Sequence, residues 1–362
     1  MELQNIERIA VFKMRNIGDV LMITPLLRAL RETFPKAQIA VVVNSGTEAM
    51  LAGNPHIDET LVYRRESNGS GKFGRLLDEL RLVRDLRRRH FDLTIGLTEG
   101  DRTAWYSLLC GARYRMGVPR HAWTRLDPRR LAYNFPVYPI ADPMHEVEKH
   151  FWLMEHAGLK LSEPSSKELC LVVPEEMRAW ARAELAPLLP ARIVHVHPVS
   201  RWLWKCWRNE AMAETIDWLQ KERNVRVVVT TGPAPAERDR AREIVQLCRT
   251  QPRFYDGDLS LAQTAAISAE SSGYFGVDTA PMHMAAAVGA PVVALFGPTK
   301  AANWGPWTTR GRVLSHPCVC NANGRESCDW SGVRACLAEI TVAEAQAALD
   351  ELLAWPKRSV SP

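Results

Sequence analysis

The chain has 362 residues, enough for two domains at the usual ~100–200 residues each. Hydrophobic residues make up 46% and charged residues 24%, which excludes a disordered chain and leaves ample material for packed cores. The formal net charge of +5 fits an anionic partner without demanding nucleic acid, and no apolar run approaches the ~20 residues that span a bilayer. The start, "MELQNIERIAVFK", lacks a basic region followed by a long apolar core, so no secretory leader is expected. The expected place is the cytoplasm, with any membrane contact peripheral. In that reducing compartment the eight cysteines should be thiols or metal ligands and not a disulfide framework.

In chain order, "RIAVFKM", "QIAVVV", "ETLVYR" and "FDLTIGL" read as strands, with "RYRMGV" a weaker fifth. The stretches "VLMITPLLRALRETF" and "GRLLDELRLVRDLRRRH" read as helices between them, and the Gly/Ser-rich "RRESNGSGKFGR" as a mobile basic loop. Near-continuous apolar strands imply parallel sheets covered on both faces. The polar stretch "GLKLSEPSSKELCLVVPEE" suits a linker, after which the pattern restarts with "RIVHVHPV", "VRVVVTTG", "GYFGVD" and "PVVALFG". Helices such as "EAMAETIDWLQKE" and "PAERDRAREIVQLC" separate these strands. The predicted fold is α/β, with two Rossmann-like domains facing across a cleft. The expected boundaries are 1–165 for the first domain, 175–340 for the second, and 341–362 for a C-terminal helix and tail.

In open parallel sheets ligands bind at the C-terminal strand ends, and three loops there carry unusual residues. In "RNIGD", after the first strand, Gly18 permits a tight turn and Asp19 opens the next helix. Asp19 is either a helix cap or a general base; its carboxylate, ionised near neutral pH, suits the positive end of a helix. In "HPVSRWLWKCW" the cations Arg201 and Lys205 suit a diphosphate, or else form a solvated basic turn. The three tryptophans of that loop would be wasteful on a plain surface and can pack beneath a joint between the domains. In "GVDTAPMHMAAAVGAP", Thr279 can N-cap a small-residue helix whose first N–H groups hold a phosphate, with Pro281 tolerated in the first turn. There Asp278 is a second cap, and His283 either faces the phosphate or lies on the surface.

These segments, in this order and spacing, resemble glycosyltransferase family 9, the ADP-heptose:lipopolysaccharide heptosyltransferases. The likeness runs from "RNIGDVLMITPLLRALRETFP" to "GVDTAPMHMAAAVGAPVVALFGPT". Its finer form, with "HPVSRWLWKCW" and the Cys-rich tail, is most similar to the heptosyltransferase III branch. The resemblance implies a GT-B fold and an inverting, metal-independent transfer of heptose from ADP-L-glycero-D-manno-heptose to the inner core of lipopolysaccharide. It implies Asp19 as catalytic base and Lys205 as the diphosphate contact that meets leaving-group charge. It further implies a donor site of Gly18, Ser200, Arg201, Lys205, Glu237, Asp278, Thr279, Ala280 and His283, with Glu237 near the ribose. Ala280 departs from the glycine that many members carry. The implied partners are the ADP-heptose donor, a Kdo- and heptose-bearing lipid A core, and the cytoplasmic face of the inner membrane of a Gram-negative bacterium. Basic residues in "RRESNGSGKFGR" and "RHAWTRLDPRR" are candidates to hold the anionic acceptor.

Three other readings remain in view. One is a transferase of the same family with a different acceptor, another sugar or a protein. A nucleotide-dependent oxidoreductase is disfavoured because no strand is followed by G-x-G-x-x-G. A non-catalytic zinc-containing protein rests on Cys318, Cys320, Cys328 and Cys336, spaced C-x-C-x₇-C-x₇-C beside His316. Four thiolates satisfy tetrahedral zinc, but paired C-x₂-C knuckles are missing. Buried thiols packing a loop are the alternative, and any zinc there is expected to be structural, with no cofactor needed for catalysis.

Overall fold

The computed structural model describes residues 3, 5–64, 71–119, 131–138, 144–318 and 334–355, of which 71–76 are described by backbone alone. Contacts divide the chain into Met1–Val172 and Val173–Pro362. The first unit contains β1 (Arg8–Phe12), α1 (Ile17–Leu21), α2 (Thr24–Thr33), β2 (Gln38–Asn44), β3 (Glu59–Tyr63) and α3 (Gly71–Arg88). It continues with β4 (Leu93–Gly96), α4 (Asp101–Leu109), β5 (Tyr114–Gly117), β6 (Phe135–Pro136) and α5 (Glu146–His156). Its sheet runs β3-β2-β1-β4-β5-β6, every pair parallel.

The second unit opens with α6 (Glu175–Leu185), β7 (Arg192–His197), α7 (Asn209–Glu222), β8 (Val225–Thr230), α8 (Pro235–Leu247) and β9 (Arg253–Tyr255). Then come α9 (Leu261–Glu270), β10 (Gly273–Val277), α10 (Ala280–Ala287), β11 (Val292–Leu295), α11 (Ala301–Trp304) and β12 (Gly311–Leu314). The short α12 (Ala335–Ala338) and α13 (Val342–Ala354) close the described chain. The sheet order β12-β11-β10-β7-β8-β9, all parallel, repeats that of the first unit. Both are doubly wound Rossmann sheets, as the apolar strands and alternating helices predict.

The strand order reverses between β1 and β4 in one unit and between β7 and β10 in the other. At such a point the following helices leave to opposite faces and open a crevice at the C-terminal strand ends. The cores fix these crevices. Val194, Val196, Phe275, Val277, Val293 and Leu295 from the second sheet pack with Trp207, Leu349 and Leu352 and are fully or nearly fully buried. The α13 helix is set by a capping box, Thr341 accepting from the Glu344 N–H and Glu344 accepting from the Thr341 N–H.

Two local expectations are corrected. The stretch "VLMITPLLRALRETF" is two helices, because Pro25 has no N–H for the Leu21 carbonyl; the Thr24 hydroxyl donates to that carbonyl instead at 2.8 Å. The expected mobile loop "RRESNGSGKFGR" is helical from Gly71 onward, while residues 65–70 lie outside the described residues. The linker stretch is tied to α2: the Cys170 N–H donates to the Thr24 hydroxyl at 2.9 Å, and Arg28 donates to the Ser166 carbonyl at 2.5 Å.

Candidate active site

In the second unit, the loop leaving β7 turns through a 3-10 segment, Leu203–Lys205, closed by Lys205 N–H donating to the Trp202 carbonyl at 2.8 Å. Its far end is anchored by Trp207, which is 1% exposed and donates its indole N–H to the Ile340 carbonyl at 3.1 Å. Ser200, buried, braces the near end by accepting from the Trp202 N–H at 3.3 Å. Between these anchors Lys205 reaches across the switch point, its Nζ 2.5 Å from Asp278 Oδ2 at the end of β10. The loops after β7 and β10 thus share a salt bridge with both partners largely withdrawn from water, 17% and 7% exposed.

Asp278 immediately precedes α10, with Thr279 at the N-cap, Ala280 as first helical residue and Pro281 behind it. Thr279 has extended cap dihedrals (φ −158°, ψ 168°) but makes no side-chain capping bond, so its hydroxyl is not committed to the helix as expected. His283, one turn on, is 4% exposed, which overturns the surface reading. Lys205 and the positive end of α10 converge on one place, the arrangement that holds a phosphate.

Glu237 lies in the first turn of α8 and is 7% exposed. Burial pushes its carboxyl pKa up, and the nearby Arg201 guanidinium pulls it back. A Cβ at residue 232 would sit 2.6 Å from Glu237 Oε1, so Gly232 makes room for that carboxylate. Arg201 lies over the Trp202 ring at 5.2 Å and Lys205 over the Trp204 ring at 5.4 Å. The three tryptophans therefore part company: Trp207 is core, Trp202 is exposed and Trp204 is half-buried.

In the first unit, Asp19 lies after β1, beside the other switch point. It does not cap. Asn16 occupies the N-cap position of α1, Gly18 is helical and not in a tight turn, and Asp19 falls in the first turn. The Asp19 carboxylate is 8% exposed and accepts a side-chain bond from Asn16 at 3.3 Å. Sequence reasoning missed its surroundings. Lys13, 3% exposed at the end of β1, has its Nζ 3.1 Å from His150 Nε2 and 3.8 Å from Glu146 Oε2. Burial lowers the Lys13 pKa, and the Asp19 and Glu146 charges oppose that. Burial and the Lys13 charge hold the His150 pKa well below its usual range, so the ring is neutral and its Nε2 accepts from the ammonium. A lysine closing the apolar run "RIAVFK" was the available signal.

The basic stretch 120–130 lies outside the described residues, as do Cys320 and Cys328. Cys336 is buried, Cys318 is partly exposed, and His316 pairs with Glu344 at 2.9 Å. Among the described residues no cluster of three metal-ligating side chains occurs, and no helix is long and apolar enough to cross a membrane.

Two doubly wound parallel units in one chain make up the GT-B architecture. The chain belongs to glycosyltransferase family 9 (heptosyltransferase), whose family model matches residues 79–333. It is 30% identical over 298 residues to lipopolysaccharide heptosyltransferase 3 of Escherichia coli (strain K12), covering 82% of this chain and 84% of that one. Among solved structures it resembles the family 9 glycosyl transferase from Veillonella parvula DSM 2008, with TM-score 0.82 and 23% identity over 98% of both chains. It also resembles E. coli heptosyltransferase WaaC with ADP, with TM-score 0.70 and 19% identity over 95% of this chain and 99% of that one.

Proposed function

We propose that this enzyme transfers heptose from ADP-heptose to the inner core of lipopolysaccharide, inverting the anomeric centre and requiring no metal. The observation that carries the reading is the Lys205–Asp278 pair at 2.5 Å, held at the start of α10 across the switch point of the second sheet. The similarity to lipopolysaccharide heptosyltransferase 3 supports the donor and acceptor class. In this mechanism Asp19 removes the proton from an acceptor hydroxyl as that oxygen attacks the anomeric carbon. The bond to ADP breaks on the opposite face, and the charge growing on the diphosphate is met by Lys205 and the N–H groups of the first turn of α10. Those fixed positive groups take the part that a divalent cation plays in other transferases. Thr279, Ala280 and His283 line the same helix start, with Ser200 bracing the Lys205 loop and Gly18 beside Asp19 in the first turn of α1. Glu237 receives the ribose hydroxyls. The reaction belongs at the cytoplasmic face of the inner membrane, where the anionic core is assembled.

The test is incubation of the protein with ADP-heptose and a panel of truncated core acceptors, following ADP release and product mass. ADP release that requires a heptose-bearing core acceptor supports the assignment. Transfer to a protein or a different glycan, with all core acceptors inert, overturns the acceptor class while keeping the family.

A further inference from the structure

The first unit carries an apolar surface that the mechanism above does not use. Helices α3 and α4 lie side by side on one face of its sheet. There Leu82 and Leu86 of the first and Tyr106 and Cys110 of the second share one core with Phe12 and Val42. That core takes the inner face of each helix. On the outside, Leu77 and Leu80 of α3 and Trp105 and Leu109 of α4 are between 37% and 55% exposed. Scattered singly, such residues would need no account, but four on two neighbouring helices mark an interaction surface.

The same face is cationic. Along α3, Leu77, Arg81, Arg84 and Arg88 recur at helical spacing and line one stripe, with Leu80 and Arg87 beside it. Each of these side chains is exposed. The acids of the helix stand elsewhere. Asp78 is 9% exposed, Glu79 turns inward to accept from the Tyr63 and Tyr106 hydroxyls, and Asp85 lies at the flank, 3.5 Å from Arg84. Glu79 also pairs at 3.6 Å with Arg102, which lies over the Tyr63 ring, so the two helices are locked to each other. Because α4 starts just past the end of β4, a switch-point strand, this face reaches the rim of the first unit's crevice.

We propose that the outer face of α3 and α4 docks the enzyme on an anionic lipid bilayer. Guanidinium groups pair with lipid phosphates, leucine side chains enter the boundary of the acyl layer, and an indole settles at headgroup level. A protein interface has an apolar centre within a polar rim. Here arginine and leucine are interleaved along one stripe, so both kinds of group meet the partner at the same depth. Only a headgroup layer offers anions and apolar chains together in that way. The proposal deepens the reading above, in which the acceptor is anchored in lipid, by naming the face that lies against the bilayer.

Vesicle flotation with the full-length protein tests it apart from catalysis. Wild type should float with phosphatidylcholine vesicles containing about one-third phosphatidylglycerol, far less with phosphatidylcholine alone, and less again as salt is raised. Arg84→Gln with Arg87→Gln and, separately, Leu77→Gln with Leu80→Gln should each weaken partitioning about tenfold or more. Arg226→Gln with Arg249→Gln removes two exposed charges from the second unit and should stay within about twofold of wild type. Wild type that ignores the anionic vesicles overturns the proposal and leaves the face to a protein partner. Unchanged binding in both face variants overturns it, and so does an equal loss in the second-unit variant, because net charge alone then decides. Turnover separates this proposal from the acceptor reading. The face variants should match wild type on a delipidated, water-soluble core acceptor and fall behind on one embedded in vesicles. Vesicle binding through this face, with transfer to no core acceptor, removes the acceptor reading and leaves the docking surface standing.

Discussion

Asp19 and Lys205 sit at comparable places, each in the segment that follows the first strand of its unit at a switch point, Asp19 in the first turn of α1 and Lys205 at the end of a 3-10 segment. Their surroundings give them different work. Asp19 caps nothing and accepts a side-chain bond from Asn16 at 3.3 Å, and in the proposed mechanism its carboxylate takes the acceptor's proton. Replacing it by Asn should lower turnover by ~10²–10⁴-fold, the usual span for a lost general base. ADP affinity, measured by calorimetry, should not move, and near-normal turnover would place the base elsewhere. Lys205 carries a second burden, since it neutralises Asp278, which is 7% exposed. In the proposed mechanism Lys205→Ala removes a charge-assisted contact to the diphosphate worth roughly 1.5–3 kcal/mol, and it should then weaken ADP by about one to two orders of magnitude. It also leaves a nearly buried carboxylate without its cation, so the melting temperature should fall. Adding Asp278→Asn to that variant should recover the melting temperature and not the ADP affinity. Recovery of both would show that Lys205 matters only as a structural counter-ion.

At the scale of elements, the site depends on how closely β10 approaches β7. Gly276 is paired in register with His197, and a Cβ there would run into the His197 carbonyl and the Tyr274 hydroxyl. Gly276→Ala should cost about 1–3 kcal/mol as overpacking, and should displace the ends of the two strands that carry Asp278 and Lys205. The expected signature is a lower urea midpoint together with weaker ADP binding; an unchanged midpoint would mean that the strands separate freely. Elements of this buried kind were legible in the sequence, since β1, β2, β10 and β11 are dominated by apolar residues and β7 alternates them with histidine. The short edge strands β6, β9 and β12 were not, because only two to four residues pair and little of their surface is buried. The break between α1 and α2 hid inside a uniformly apolar stretch and is visible only through Pro25. The motif loops at the switch points could be read because their charged residues interrupt apolar strands. The Lys13–His150 contact could not, since 137 residues separate its partners and only the fold brings them together.

At the scale of the molecule, each unit buries neutral histidine where water cannot reach. In the second unit His195 and His197 stand on β7, with His195 Nε2 and His197 Nδ1 both bonded to the Thr230 hydroxyl at 2.7 and 2.8 Å. His195 Nδ1 meets the Ser268 hydroxyl at 2.7 Å. Burial drives both ring pKa values down to about 3, with the His197 charge adding to the fall at His195. An unfolded histidine takes up its proton near pH ~6.5, so between that value and about 3 the unfolded chain binds protons that the folded chain refuses. Stability from these two rings is therefore complete above pH ~6.5 and declines as the pH falls, by on the order of 4 kcal/mol at pH ~5. His150 in the first unit works in the same direction, its pKa also held well below the usual range by burial. Urea midpoints taken at matched ionic strength should fall steeply between pH ~7 and pH ~5, and His195→Gln should flatten the slope. The direct readout is the ring signals in an NMR titration. For His195 and His197 they should hold constant from neutral pH until the protein unfolds, and a midpoint near 6 for either ring would overturn this account.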